Sequence, residues 1–439
     1  MQQERTLSLP IAILININTM LGSGIFLNTT ILAERAGAVG FVSYAVIGIL
    51  LLPLVISMAH LLNIHPAGGF YTFAKCELSL FAGFISAWSY FTAKLASATL
   101  MIHASVITLQ QLIPALAQLH PFILDSSILA CFIGLNMFNM RTGGRIQTIF
   151  TVLKMIPIIF AICAGLYLFT GSNFTETHLL WVGIPGTIPL VIYATMGFET
   201  ACSLSNHIKN AHKNGPLAIL ISYALAIGII IAYQFLMYGA LGTSLLSYAT
   251  FRDAFPGLAS LLTPASATTA QTIGGLLNLA IAASILGGSY GILFSNVWNL
   301  HTLATHNHVF FSSLFTALNK NAIPSACVLA EGALCIMYLF ISGGQIVVLQ
   351  QIGALGVVFT YTMSVLSLVY AKRARPSITI PLWIPALGLF NCLLLIAACI
   401  RGLLLSGFVA LMYFVSLLVC GIVMFLYTQK TMREEPQGF

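Results

Sequence analysis

Charge is what this chain has least of. Only 6% of its 439 residues are Asp, Glu, Lys or Arg, where soluble domains carry about 25%. So few charges cannot solvate a water-facing surface. A separate soluble domain is missing too, since the longest gap between apolar runs lies between about Leu241 and Thr269. Any chemistry is therefore expected within or beside a bilayer. Cysteine is present, with nine residues, but no CxxC or other ligand spacing. Most of these thiols sit in apolar runs, where they act as small hydrophobes. No metal site, no disulfide and no cofactor is expected. What abounds is apolar: 59% of residues are hydrophobic, and the mean hydropathy is +0.98. A transmembrane helix needs about 20 apolar residues. An all-α, multi-pass membrane protein follows, with the lipid bilayer as its first partner. The first apolar run ends without a small-residue cleavage pattern and is expected to remain as a helix.

Breaks of polar residues, Pro and Gly divide the chain into twelve expected spans: 8–35, 38–63, 79–112, 123–140, 145–170, 184–205, 216–241, 270–303, 323–342, 348–371, 380–404 and 406–428. Basic residues test the count. With the N-terminus inside, twelve of the 17 Lys and Arg fall inside, Arg5 among them. Only Arg35, Arg252 and Arg401 fall outside, and Lys94 and Lys154 lie within spans. That bias obeys the positive-inside rule and puts both termini in the cytoplasm. The net charge of +7 then reflects topology, with no nucleic-acid partner implied. The expected location is the cell membrane, or the inner membrane of a Gram-negative cell.

Two spans break at their middles. The first breaks at Gly22-Ser23-Gly24, where glycine costs ~1 kcal/mol against alanine in a helix. The sixth breaks at "YATMGFETACS", around Met196-Gly197. The second unit starts five spans after the first, an odd offset, so the two run in opposite senses through the membrane. Discontinuous helices at corresponding places are the mark of an inverted repeat. The expected units are 8–170, 184–371 and a final pair of helices over 380–428. Unwound backbone at membrane depth must be satisfied or line a polar cavity. A half-helix starting at Gly24 offers N–H groups and a positive dipole end to an anion. The half-helix ending before Gly197 offers carbonyls to a cation. Side by side, the two suit the carboxylate and ammonium of a free amino acid. A glycine-lined helix crossing is the plainer alternative.

The motifs resemble those of the amino acid–polyamine–organocation (APC) superfamily. "GSGIF" at 22–26 is similar to its first-helix signature. "PAGGFYTFAKCELSLFAGFISAWSYF" at 66–91, "QTIFTVLKMIPIIFAICAGL" at 147–166 and "YATMGFETACSLSNHIKNAHKNGPLAI" at 193–219 resemble later family segments. So does the stretch from Gly287 to Ala326. The resemblance implies a five-plus-five inverted repeat and sodium-independent transport of amino acids or amines, by proton symport or exchange. An exchanger of an amino acid for its metabolic product is the alternative within that class. The resemblance also implies site roles. Ser23 and the Gly24 N–H would hold the substrate carboxylate, and the Met20 and Met196 carbonyls its amino group. Tyr193 would gate the site. Gly22 and Gly197 complete the two breaks. Lys154 would stand where relatives of this architecture bind sodium, and Glu199 where proton-coupled relatives place a glutamate. The chain departs from the family in the histidines after the sixth and eighth spans.

Four charged residues fall at membrane depth: Lys94, Lys154, Glu199 and Glu331. Each costs ~2.5–3.5 kcal/mol to insert at the bilayer centre, which makes each a functional candidate. Glu199 suits proton exchange or bracing of the break. Lys94 suits contact with a substrate side chain, or pairing with a carboxylate inside the bundle. Lys154 has snorkelling to an interface as its alternative. Glu331 lies far from the breaks and suits helix packing. His301, His306 and His308 do not share a helix face, which argues against a metal. "GGSYG" at 287–291 fits the G-x-S-x-G nucleophile pattern only formally, because that motif needs a strand–turn–helix setting. Ser289 is instead expected to face the substrate. Neither an enzyme nor a receptor reading finds a partner residue or an added domain.

Overall fold

The computed structural model describes residues 6–66, 68–175, 179–406 and 408–434. Arg5 lies outside the described residues. Nineteen α-helices follow one another. They are α1 Leu9–Met20, α2 Gly24–Ala36, α3 Gly40–Ile64, α4 Phe70–Glu77, α5 Leu80–Leu112 and α6 Pro114–Ala117. Next come α7 Pro121–Asn136, α8 Met140–Tyr167, α9 Ile184–Thr195, α10 Thr200–Ser203, α11 Ala211–Leu241, α12 Ser244–Ser247 and α13 Phe251–Leu262. The last are α14 Ala267–Thr305, α15 Ser312–Thr316, α16 Ser325–Ser342, α17 Ile346–Ala374, α18 Trp383–Ser406 and α19 Phe408–Glu434.

Among the described residues, ten helical segments are long and apolar enough to cross a membrane, and the bent pair α1–α2 makes an eleventh. The sixteen-residue α7 is shorter. Local sequence sets several starts. Ser79 accepts from the Ala82 N–H at 3.1 Å to open α5. Asn139 does the same for α8, accepting from Thr142 at 2.9 Å. The gap from 241 to 269 contains α13, opened by a Thr250–Asp253 capping box.

Two long helices form the centre. Every residue of α5 from Gly83 to Ile102 is buried, as expected of a helix with protein on all sides. α5 packs on α14 and α17, and α14 packs on α8. α1 lies against α11 and α8, while α9 lies against α3 and α17. At the rim, α18 and α19 leave side chains such as Phe390, Phe408 and Val423 exposed, as a lipid-facing wall requires.

Candidate functional site

Leu21, Gly22 and Ser23 part α1 from α2, and the two helices bend by 40° there. α9 ends at Thr195. Met196 is extended, Gly197 has φ +123°, and α10 begins at Thr200. The two breaks touch backbone to backbone. A Cβ on Gly197 would sit 2.7 Å from the Met20 nitrogen, and one on Gly24 would sit 2.6 Å from the Ala194 Cα. Glycine is required at 197 twice over, by its positive φ and by this approach.

Side chains satisfy what the breaks free. Asn16 donates to the Phe198 carbonyl at 2.8 Å and accepts from the Ala201 N–H at 3.0 Å. Glu199 accepts from the Gly197 N–H at 2.8 Å and from the Tyr90 hydroxyl at 3.1 Å. A further partner is Lys94, whose Nζ lies 2.7 Å from Oε1. Both members of this ion pair are buried. Removing one partner of such a pair costs ~3–5 kcal/mol, because the other is left charged and unpaired.

Lys154 closes the end of α1. Its Nζ donates to the Asn18 carbonyl, one of the last acceptors of a helix that stops at Met20. An ammonium there also opposes the negative end of the helix dipole. The residue is fully buried, so it does not snorkel to an interface. Asn18 in turn donates to Gln147 and, at 2.9 Å, to the Gly287 carbonyl. α1, α8 and α14 are thereby tied together at the break.

A small cavity lies between these parts. Met20, Gly22, Gly24, Tyr193, Met196 and Lys94 line it, with Ser97 and Met101 of α5 and Ile292 of α14. In this conformation it has room for about one water. The Met101 methyl stands closest to Gly22: a Cβ there would meet it at 2.5 Å. Ser23 is fully buried and shares a 3.1 Å hydrogen bond with the Tyr193 hydroxyl. Six of the sequence-derived candidates thus line one space, and Ser23, Gly197 and Glu199 stand immediately behind it.

Ser289 is placed differently. Its hydroxyl donates to the Ala98 carbonyl at 3.1 Å and locks α14 to α5; it is not among the residues lining the cavity. Glu331 is buried on α16, also away from the cavity wall. Residues not singled out from the sequence complete the site. Asn16, Asn18 and Gln147 are polar groups in apolar runs, a signal readable in the sequence. Tyr90 and Met101 carry no such signal.

The histidines gather beyond one end of α14. His306 packs on the Tyr71 ring at 4.4 Å, and His308 shares a 2.7 Å hydrogen bond with the Tyr71 hydroxyl. The His308 Nδ1 accepts from Gln429 at 3.3 Å, which assigns the proton to Nε2. Burial, then the neighbouring His306 and Lys75, push this imidazole down to about 4 from 6.5. His207 beside Trp298 is pushed to about 4 as well, by burial and by His301. The fold therefore binds fewer protons here than the unfolded chain. Its stability is intact above about 6.5 and falls as pH drops from there toward about 4. Thermal unfolding in detergent is expected to show a lower midpoint at about pH 5 than at about pH 7.5. His308→Gln should shrink the difference; identical pH profiles for the two proteins would refute this assignment.

Fold and site together define a helical membrane protein whose two discontinuous helices meet around a buried cavity. The chain belongs to the amino acid permease family, whose model matches residues 7–426, within the APC superfamily. It is 24% identical to a putative arginine/ornithine antiporter of Escherichia coli, over 98% of this chain and 93% of that protein. An antiporter of the same description from Shigella flexneri matches equally. An uncharacterized amino acid permease of Bacillus subtilis is 23% identical, over 85% of this chain and 81% of its own length. The family supports amino acid transport as the activity.

Proposed function

We propose that the chain is a secondary transporter of amino acids that needs no sodium and is driven by protons or by exchange. The reading rests above all on one observation: the Lys154 ammonium meets the freed Asn18 carbonyl beside two helix breaks in backbone contact. A fixed cation there does the work of a bound sodium ion. The substrate carboxylate sits on the Gly24 N–H and Ser23, at the positive end of α2. Its ammonium sits on the Met20 and Met196 carbonyls. Tyr193, bonded to Ser23, moves as the site opens. Glu199 and Lys154 are the groups for proton coupling. The exchange alternative is favoured by the antiporter name of the Escherichia coli relative.

Twelve spans in a five-plus-five repeat underlie this mechanism. Paired contacts support the repeat. α5 packs on α17 as α14 packs on α8, and α1 on α11 as α9 on α3. These are the pairings that exchanging the units 8–170 and 184–371 would produce. Helices over 380–428 sit outside them. Both termini are cytoplasmic and the protein resides in the cell membrane, in keeping with its basic residues.

Uptake of labelled amino acids into proteoliposomes tests the function. Replacing sodium by choline should leave the rate unchanged. Sodium-dependent uptake would overturn the role given to Lys154.

A further inference from the structure

The cavity carries one charged side chain on its wall, and that charge is already matched. Lys94 lines the space, but its ammonium sits 2.7 Å from the Glu199 carboxylate. Glu199 is also bonded to Tyr90 and to the Gly197 N–H. Among the described residues, no Asp or Glu lines the cavity. A substrate with an ammonium or guanidinium side chain would find no free carboxylate there. It would instead meet Lys94, which holds the place on Glu199 that its own cation needs and has only donors to offer it. An acidic side chain would have to draw Lys94 away from Glu199. Apart from the hydroxyls of Thr19, Ser97 and Tyr193 and the glycines of the first break, the wall is Met20, Met101, Met196 and Ile292. Thioethers are flexible and polarizable and close around apolar groups of varied shape.

We propose that this chain transports neutral amino acids with apolar side chains, and that Lys94 stands in on Glu199 for the cationic side chain of a basic substrate. The proposal rests on the transport reading and narrows it. The lysine acts as a tethered occupant. With it in place the site rejects free cationic amino acids, and without it Glu199 would accept one. Lys94 is thus a specificity determinant, and the remainder of the site handles only the carboxylate and amino group that all amino acids share.

The test uses proteoliposomes and labelled methionine, leucine, alanine and ornithine. Wild type should take up at least one of the three neutral amino acids. Ornithine at about 100-fold excess should slow that uptake by less than about twofold, whereas in Lys94→Ala the slowing should reach about tenfold. Labelled ornithine should then enter as well. Because Glu199 belongs to the transport machinery, the double variant Lys94→Ala/Glu199→Gln is read by binding alone: ornithine should raise the thermal midpoint of Lys94→Ala and not that of the double variant. Should Lys94→Ala fail to fold, Lys94→Met, which fills the same space without the charge, takes its place, and the wild-type competition stands independently. Ornithine competing in wild type as well as an unlabelled neutral substrate would overturn the proposal. So would a folded Lys94→Ala protein that still ignores ornithine. If none of the four amino acids enters, the transport reading fails, and the proposal with it.

Discussion

Lys154→Ala is expected to slow amino acid uptake by roughly 10- to 150-fold, the rate equivalent of losing a charge-assisted hydrogen bond worth ~1.5–3 kcal/mol. The lost contact is the one to the Asn18 carbonyl. Without it the end of α1 has one acceptor fewer satisfied, and nothing opposes its dipole. Lys154→Arg keeps the charge but not the shape, because a planar guanidinium does not fit where a compact ammonium sits. It should recover only part of the rate. Expression and size-exclusion behaviour should match wild type, so that the effect is read on transport. Undiminished uptake by Lys154→Ala would hand the residue to packing alone.

Gly197→Ala is expected to be among the most damaging single methyl additions in the chain. It places a side chain at φ +123°, a strain of ~1–3 kcal/mol. It also drives a Cβ to 2.7 Å from the Met20 nitrogen, and such overpacking costs another ~1–3 kcal/mol. Neither backbone can yield without opening both breaks. Thermal unfolding in detergent should show a marked fall in midpoint, and uptake should be lost. Gly134→Ala is the control: a Cβ there has nothing within 4 Å, and alanine improves a helix interior. Equal midpoints for the two variants would show that the contact at Gly197 is not tight.

Much of this was legible in the residues. The breaks at Gly22–Gly24 and Met196–Gly197 were visible because glycine in an apolar run is expensive unless used. The sixth span was expected over 184–205 and runs from Trp181 to Ser203. Lys94 and Glu199 were each visible as charges at membrane depth. Their pairing was left open, because no sequence pattern links a residue of α5 to one a hundred positions later. Ser289 shows the limit most clearly. A serine flanked by small residues reads as facing a ligand, yet its hydroxyl goes to the Ala98 carbonyl. Which way a helix turns its small residues depends on its neighbours, and those are set by packing. α13 illustrates the same limit: an amphipathic helix falls outside any rule based on long hydrophobic runs, whereas α7, expected over 123–140, is there as a shorter apolar helix over Pro121–Asn136.

The backbone contact between the breaks also bears on how such a protein can change over generations. Where Gly24 meets Ala194 and Gly197 meets Met20, the main chains come so close that the two glycines cannot take a side chain. On the proposed reading, that part of the molecule would recognise what every amino acid has in common, and substitution there would have little room. The opposite wall is made of α5 and α14 side chains, among them Lys94, Met101 and Ile292. Those positions sit on continuous helices, where one residue can replace another without disturbing the path of the chain. If the proposed site holds, a lineage could acquire a new diet by exchanging a few side chains on one wall, while the machinery that moves the cargo is inherited intact.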